Sequence, residues 1–200
     1  MKVRLIVGLG NPGKDLALIR HSAGAWFIEA CAARYKIDLQ KHDDLSALVG
    51  VGIIGNIKFP CAITITPINN CGATVERLSE LHNIPTQEIL VVHDDLSFLP
   101  GIARFKFIHN TSRSLHNGIR NINQHLRTNE FNRLSIGIGH PGIKAQVPNY
   151  VMSPPDAHER EKIDTAVQDC LDCLPDVLEG NWNIVMNAIH SRRLKPNFRI

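Results

Sequence analysis

The sequence predicts an α/β fold: a single domain with a twisted, mixed and mostly parallel central sheet and helices on both faces. Two observations support this prediction. Short apolar runs alternate with segments of helical periodicity, and one pair of runs flanks Gly55-Asn56, a dipeptide typical of a hairpin turn. Interleaved strands and helices with one antiparallel hairpin indicate a mixed sheet covered on both sides. The 200 residues, 44% of them hydrophobic, suffice for one such core.

The first half of the chain supplies a strand, a helix, a hairpin and a second helix. Trp26, Phe27 and Cys31 recur at helical spacing and predict an amphipathic helix. The predicted elements are a strand over Val3–Val7, a helix over Ser22–Lys36, hairpin strands over Leu45–Ile54 and Ile57–Thr66, and a helix over Asn70–His82.

The second half continues the alternation and ends in helices. The predicted elements are a strand over Glu88–Val92, a strand over Ile102–Ile108, a helix over Leu115–Leu126, a strand over Phe131–Ile138, an acidic helix after Pro155 to about Leu174, and a short helix over Trp182–His190. We expect residues 1–200 to form one domain, with residues 185–200 as a basic C-terminal tail.

Charge is segregated along the chain, although the formal net charge is only +3. Residues 101–150 contain seven Lys or Arg against one acid, whereas residues 151–180 contain eight acids and two bases. The last twenty residues carry four bases and no acid. This pattern is typical of a protein that binds a polyanion, and equally of a solvated surface with counter-charged neighbours.

Composition also bears on location and cofactors. No apolar stretch of the sequence approaches the length of a membrane span, and the first apolar run breaks at glycines, unlike a signal peptide. Five cysteines without a secretory signal predict reduced thiols in the cytoplasm. Cys170 and Cys173 form a C-x-x-C within a predicted helix, and because the sequence has no second pair with ligand spacing, we expect a helix face and no metal site.

The glycines of Gly8-Leu9-Gly10-Asn11-Pro12-Gly13 have the spacing of a dinucleotide-binding turn. Such a turn needs a helix that begins at the third glycine, so that its N-terminus meets the pyrophosphate. Here the apolar periodicity resumes only after Arg20-His21. The turn should also be followed, about 20 residues on, by an Asp or Glu at the end of a strand to bind the ribose, but the acid in that region, Glu29, lies in the middle of a predicted helix. We therefore predict no dinucleotide and no other cofactor.

The same stretch, followed by Arg20-His21, resembles the N-terminal signature of bacterial peptidyl-tRNA hydrolases. Asn69 stands where that family has an asparagine ahead of Ser-Gly, and Arg133 opens a run similar to its Arg-Leu-x-Ile-Gly-Ile-Gly. Further similar stretches, in the family's order and spacing, are Val92-His93-Asp94-Asp95-Leu96, Leu99-Pro100-Gly101, His116-Asn117-Gly118 and Tyr150-Val151-Met152.

The resemblance implies a metal-independent esterase that cleaves the bond between a peptidyl, or N-blocked aminoacyl, group and the 3′ ribose of tRNA. Such an enzyme recycles tRNA from peptidyl-tRNA that leaves the ribosome early. The implied partner is the acceptor stem and 3′ end of peptidyl-tRNA, and we expect a cytoplasmic monomer with no membrane association.

The residue chemistry suits this reaction. His21 is the natural general base because imidazole titrates near neutral pH. Asp94 would accept the other ring N–H and fix the tautomer, and Asn11 would supply an amide donor to the oxyanion. The candidates for substrate and tRNA binding are Asn69, Asn117, Arg104, Lys106 and Arg133.

Each of these residues also has a structural interpretation. A histidine after Arg20 can be a surface or capping residue, acids after a strand can serve a turn, and asparagines can cap helices. The competing hypothesis is a non-catalytic RNA-binding homologue that keeps the fold and the basic surface. Because binding alone does not require a His–Asp pair, retention of that pair favours the enzyme.

Three departures from the family pattern concern substrate binding. Leu16 stands where the family usually has an aromatic residue, and Pro67 and Ile68 stand where it has an aromatic or bulky residue before its Met-Asn. In the family these positions lie near the 3′ end of the tRNA, which puts base stacking there in question. Residues 107–115 contain no glycine, whereas the family approaches its His-Asn-Gly through a glycine-rich loop. We expect this loop to take a different path, with Arg113 as a substitute phosphate contact.

Overall fold

The computed structural model describes residues 2–11, 13–107 and 116–190. Within these ranges, seven strands form one sheet in the order β2-β3-β4-β1-β5-β7-β6. The four central strands, β4, β1, β5 and β7, are parallel, and antiparallel strands flank them on both sides. The predicted α/β class and mixed sheet are confirmed. The strands are β1 Leu5–Gly8, β2 Gln40–His42, β3 Ala47–Ile54, β4 Ile57–Thr64, β5 Ile89–Asp95, β6 Ala103–Lys106 and β7 Asn132–Gly137.

Helices cover both faces of this sheet, as predicted. The first face packs against α1, α5, α6 and α7, and the second face packs against α2 and α3. Because the central strands are buried on both sides, adjacent residues of β5 enter opposite cores: Leu90 the first and Val91 the second. The helices are α1 Ala23–Tyr35, α2 Gly72–Leu81, α3 Asn117–Leu126, α4 Val147–Val151, α5 Ala157–Asp172, α6 Leu174–Glu179 and α7 Trp182–His190.

Several boundaries differ from the prediction. Strand β5 does not end at Val92 but continues to Asp95, because pairing with β7 extends through the polar residues. The predicted acidic helix corresponds to α5, which ends at Asp172, two residues before the expected Leu174. The helix that follows, α6, was not predicted; Pro175 lies in its first turn and cannot continue the hydrogen bonding of α5. Strand β2 and helix α4 were not predicted. The predicted loop 107–115, including Arg113, lies outside the described residues from 108 onward, and the proposed tail is described only to residue 190, within α7.

Two glycines bring α1 unusually close to the sheet. A Cβ on Gly8 would lie 2.3 Å from the backbone oxygen of Gly24, and a Cβ on Gly24 would lie 2.2 Å from that of Val92. The backbone N–H of Ala25 donates to the oxygen of Leu9 at 2.9 Å. The glycine-rich stretch therefore packs the first turn of α1 onto β1 and β5, and does not leave that helix end open to a pyrophosphate.

The five cysteines are thiols and all are buried. Burial raises the pKa of Cys31, Cys61 and Cys71 to about 12. Cys170 and Cys173 face the core at the end of α5, which fits the helix-face interpretation. Across the described residues, no helix has the length and apolar character needed to cross a membrane.

Candidate active site

The candidate site lies at the carboxyl ends of the parallel strands. Asp94 is near the end of β5, and Asn11 follows β1, its neighbour in the sheet. A 3-10 turn over Arg20–Ser22 leads directly into α1 and carries His21. Since α1 packs tightly on β1 and β5, this turn is held beside the end of β5. Strand ends of open α/β sheets are where functional side chains gather.

Two histidines share one carboxylate oxygen at this place. His21 Nδ1 lies 2.8 Å from Asp94 Oδ1, and His116 Nε2 lies 2.9 Å from the same oxygen. The side chain of Asp94 is 3% exposed and that of His21 is 16% exposed. The carboxylate is thus enclosed, while the imidazole of His21 retains access to solvent.

The hydrogen bonds of His116 fix its tautomer. Its Nδ1 accepts from the backbone N–H of Ile119 at 3.3 Å, because His116 is the N-cap of α3. A backbone N–H can only donate, so the proton of the neutral ring lies on Nε2 and is donated to Asp94. Asp94 therefore receives one hydrogen bond from a helix-anchored ring and one from His21.

Charge and burial act in opposite directions on the pKa values of the pair. Burial alone would raise the pKa of Asp94, but attraction to His116 and His21 and their hydrogen bonds hold it well below its usual range. Burial alone would lower the pKa of His21, but the charge and hydrogen bond of Asp94 outweigh it, so the pKa is raised. Asp94 is therefore a carboxylate that favours the protonated form of His21.

A third histidine lies beneath this pair. His93 Nδ1 lies 2.6 Å from the backbone oxygen of Asp94, and its Nε2 lies 3.3 Å from Ser135 Oγ. Because a carbonyl only accepts, Nδ1 carries the proton and Ser135 donates to Nε2. Burial, together with repulsion from His116, lowers the pKa of His93 to about 3. This ring is a neutral support for the backbone that carries Asp94.

Asn11 is held by one hydrogen bond through its side chain and one through its backbone. Its Oδ1 accepts from the N–H of Ile68 at 3.2 Å, and its own N–H donates to Ser22 Oγ at 3.3 Å. Since the amide oxygen must face Ile68, the Nδ2 group points away from it. That Nδ2 is buried and has no hydrogen-bond partner among the described residues. An unpaired buried donor costs free energy, so its presence at a strand end indicates a ligand site.

The other two asparagines lie around Ile68. Asn69 belongs to the 3-10 turn Ile68–Asn70, and Asn117 is the first residue of α3; both are exposed. Asn117 Oδ1 accepts from Arg120, which leaves its amide NH₂ for another acceptor. Pro67 is exposed and directly precedes the same turn. Where the family has an aromatic or bulky side chain, this chain therefore has a proline with a conformationally restricted backbone.

Two of the predicted basic residues lie on β6, the strand at one edge of the sheet. Arg104 and Lys106 alternate on β6 and therefore share a face. Their cationic groups lie 5.8 Å and 5.6 Å from the centre of the Phe98 ring, and Lys106 Nζ lies 3.6 Å from Asp95 Oδ2. The two cationic groups thus lie close to the same aromatic ring at an edge of the sheet.

Arg133 lies opposite Lys106 in the β6–β7 pairing, on the same face. It is only 5% exposed, and its guanidinium lies 4.9 Å from the centre of the Phe131 ring. Its Nε and Nη2 have no hydrogen-bond partner among the described residues, and burial lowers its pKa. Sequence reasoning placed Arg133 on a basic surface; the structure places it beneath one.

His21, Asp94 and His116 also offer one potential metal-ligand atom each, within 4.8 Å of one another. The hydrogen-bonding pattern uses these same atoms differently, since both ring nitrogens carry protons donated to Asp94. A metal ion here would have to displace both protons.

Sequence reasoning found His21, Asp94 and Asn11, which the structure brings to one place, but did not single out His116 or His93. Both residues were named only within motifs. The available signal was their position: His93 directly precedes Asp94, and His116 directly precedes a helix, where N-caps are found.

Comparison with known proteins identifies the family of this chain. The family profile described as peptidyl-tRNA hydrolase matches residues 5–197. The chain belongs to the peptidyl-tRNA hydrolase family. Among its relatives, the peptidyl-tRNA hydrolase of Ruthia magnifica is 38% identical over 192 residues, covering 96% of this chain and 100% of that protein. The peptidyl-tRNA hydrolase of Nitrosospira multiformis is 40% identical over 194 residues, covering 96% and 99%.

Solved structures show the same relationship. The crystal structure of the peptidyl-tRNA hydrolase from Acinetobacter baumannii is 34% identical, superposes with a TM-score of 0.90 and covers 96% of both chains. A peptidyl-tRNA hydrolase in complex with N-propanol gives a TM-score of 0.89 with the same identity and coverage. The similarity to peptidyl-tRNA hydrolases therefore extends over the whole fold that carries the site.

Proposed function

We propose that this peptidyl-tRNA hydrolase cleaves the ester between the peptidyl group and the 3′ ribose of tRNA with His21 as general base. One observation carries the assignment: His21 Nδ1 is bonded to Asp94, and its Nε2 has no protein partner within the described part of the chain. The lone pair of Nε2 is then free to take a proton from water.

The reaction follows from this arrangement. Water attacks the ester carbonyl while Nε2 of His21 removes its proton, and the resulting imidazolium is stabilised by the carboxylate of Asp94. The tetrahedral intermediate collapses with cleavage of the bond to the ribose oxygen. The imidazolium returns its proton to that oxygen, which releases free tRNA and the peptide acid. An ester has a good leaving group, so we propose that no metal is needed.

Asn11 is proposed to stabilise the oxyanion. Its unpaired Nδ2 supplies a donor whose orientation is already set by the bond between Oδ1 and Ile68, so no rearrangement accompanies charge development. Asn69 and Asn117 are proposed to bind the peptide carbonyl and the terminal adenosine, since exposed amides offer both donors and acceptors.

The acceptor stem is proposed to lie across β6. Arg104 and Lys106 provide two positive charges beside the Phe98 ring, and the partnerless guanidinium nitrogens of Arg133 lie on the same face. Because those nitrogens are buried, Arg133 is proposed to add its positive charge to this face, while Arg104 and Lys106 contact the phosphate oxygens. Each phosphate contact releases counterions, so binding should weaken linearly with the logarithm of salt concentration.

Release of tRNA from N-blocked aminoacyl-tRNA tests the catalytic part. His21→Ala should reduce kcat by about 10²–10⁴, the usual contribution of a general base, with tRNA affinity retained. His125→Ala, a surface histidine paired with Glu76 on α2, is the matched control and should turn over normally. If wild type binds tRNA without turnover, the non-catalytic RNA-binding homologue is favoured; normal turnover of His21→Ala rules out this base.

A second experiment tests the tRNA surface. Lys106→Ala should raise KM, leave kcat unchanged and flatten the salt slope by about one. Arg77→Ala, an exposed arginine of α2, should change none of these. A short blocked aminoacyl-oligonucleotide lacks the acceptor stem, so its KM should be indifferent to Lys106. Equal salt slopes for both substrates would mean that this face is only a solvated surface.

A further inference from the structure

Arg20, the residue before His21, is a buried arginine that the proposed reaction does not use. Only 9% of its side chain is exposed. The guanidinium lies over the ring of Tyr150, 4.1 Å from its centre. It donates to three oxygens through Nη1 and to one through Nη2: Ser153 Oγ at 2.7 Å, Pro154 O at 2.8 Å, Ser153 O at 3.2 Å and Glu159 Oε2 at 2.5 Å.

The segment that receives Arg20 is itself anchored. Tyr150 donates through its hydroxyl to the backbone oxygen of Ile138 at 2.7 Å, immediately after β7. Glu159 also completes the capping box at the start of α5, with its carboxylate on the N–H of Asp156. Arg20 therefore connects the turn that carries His21 to both the sheet and α5.

The turn is anchored on the other side of His21 as well. Ser22 Oγ donates to the oxygen of Leu16 at 2.8 Å and accepts from the N–H of Asn11 at 3.3 Å. The backbone N–H of Arg20 donates to the oxygen of Ser153 at 3.0 Å. His21 is thus the middle residue of the turn, and its two neighbours, Arg20 and Ser22, are each fixed to a different part of the fold.

The energetics of a buried charge point to orientation rather than stability. A buried ion pair pays a large desolvation cost and often stabilises no more than apolar residues of the same volume would. What such a pair provides is geometry, because several directional bonds must be satisfied together. A misplacement of about 1 Å at a reacting group can cost about 10²-fold in rate.

We propose that Arg20 is a positioning residue, which holds the turn over Arg20–Ser22 against the 150–159 segment so that His21 stays on Asp94. This inference rests on the proposed role of His21 as the base. Without the guanidinium contacts, the turn keeps its backbone bond to Ser153 and its anchor through Ser22. It is then held less tightly on the Arg20 side, and the bond between His21 Nδ1 and Asp94 Oδ1 lengthens or breaks.

Arg20→Met tests the proposal against Arg34→Met. Arg34 also ties α1 to α5, through Asp172 and Gln168, but lies at the far end of α1. Arg20→Met should lower kcat by about 10–10²-fold, with little change in KM for tRNA. Its kcat/KM profile should rise at lower pH, since His21 separated from Asp94 loses the contributions that raise its pKa. Arg34→Met should keep the wild-type kcat and profile.

The alternatives give different results. A loss of activity that matches the fraction unfolded, with an unchanged pH profile, would make Arg20 a structural residue and overturn the proposal. If Arg20→Met does not fold, Arg20→Lys is measured instead. Lysine keeps the positive charge near Glu159 but cannot bond to Glu159 and to the Ser153–Pro154 oxygens together. We therefore expect an intermediate kcat and a shifted pH profile. A wild-type profile in Arg20→Lys also overturns it. His21→Ala, measured alongside, shows separately whether the base assignment holds.

Discussion

Replacement of Asp94 by Asn tests whether the buried carboxylate sets the basicity of His21. Asparagine keeps an oxygen that can accept from both rings, but it removes the charge from a position where N–H groups now lie at 2.8 Å and 2.9 Å. A hydrogen bond to a charged group contributes about 1.5–3 kcal/mol, against about 0.5–1.5 kcal/mol for a neutral one. The imidazolium that forms during the reaction would therefore lose about 1–1.5 kcal/mol of stabilisation.

The loss should appear in both the plateau and the position of the pH profile. A difference of about 1.4 kcal/mol is tenfold in rate, so kcat/KM at its plateau should fall by about five- to tenfold. His21 must be neutral to act as a base, and Asp94 raises its pKa while burial lowers it. With the charge removed, the pKa falls, so the rising limb of the profile should move to lower pH.

The assay is release of tRNA from N-blocked aminoacyl-tRNA, with kcat/KM followed from about pH 5 to about pH 9, the range in which imidazole titrates. Asp172→Asn is the matched control, because this acid pairs with Arg34 on the surface and should leave the profile unchanged. A limb that moves to higher pH, or a plateau equal to that of wild type, would refute this account of Asp94.

Three further results are expected. His116→Asn keeps a good N-cap for α3 but is too short to reach Asp94; kcat should fall while the rising limb moves to higher pH, because the carboxylate then serves His21 alone, and a downward shift would contradict this role. As the pH falls, the free energy of unfolding should decrease less steeply in His93→Gln than in wild type. The lowered pKa of His93 means that the unfolded chain binds an extra proton below about pH 6.5, which costs up to about 1.4 kcal/mol per pH unit, measurable by urea unfolding between about pH 7 and about pH 4; an equal slope in both proteins would exclude His93. Dialysis against EDTA should leave turnover unchanged, whereas activity lost to the chelator and restored by zinc would establish a metal mechanism.

The sequence was informative where a local pattern carries the signal. Periodicity predicted the central strands and α1, and Gly55-Asn56 predicted the hairpin that became β3 and β4. Strand β2 consists of three exposed polar residues and exists only because β3 offers it partners, so no local pattern could reveal it. Likewise β5 extends past its apolar run because β7 continues to pair with it.

The candidate site divides in the same way. The pairing of His21 with Asp94 could be predicted from residue types and strand ends, and the structure brings them together. The role of His116 depends on where α3 begins, and the contacts of Arg20 depend on residues 133 to 139 positions away. Such contacts are set by packing between distant segments, which periodicity and spacing do not encode.

The reactivity of the buried thiols should report local and global opening of this protein. A thiol reacts as thiolate, and Cys31, Cys61 and Cys71 combine enclosure in the core with pKa values of about 12. Alkylating reagents should therefore leave the folded enzyme untouched and modify each site only when its surroundings open. Cys31 lies on α1 and Cys71 directly before α2, on opposite faces of the sheet. Comparing the labelling rates of Cys31 and Cys71 would show whether the helices on the two faces of the sheet unfold together or separately.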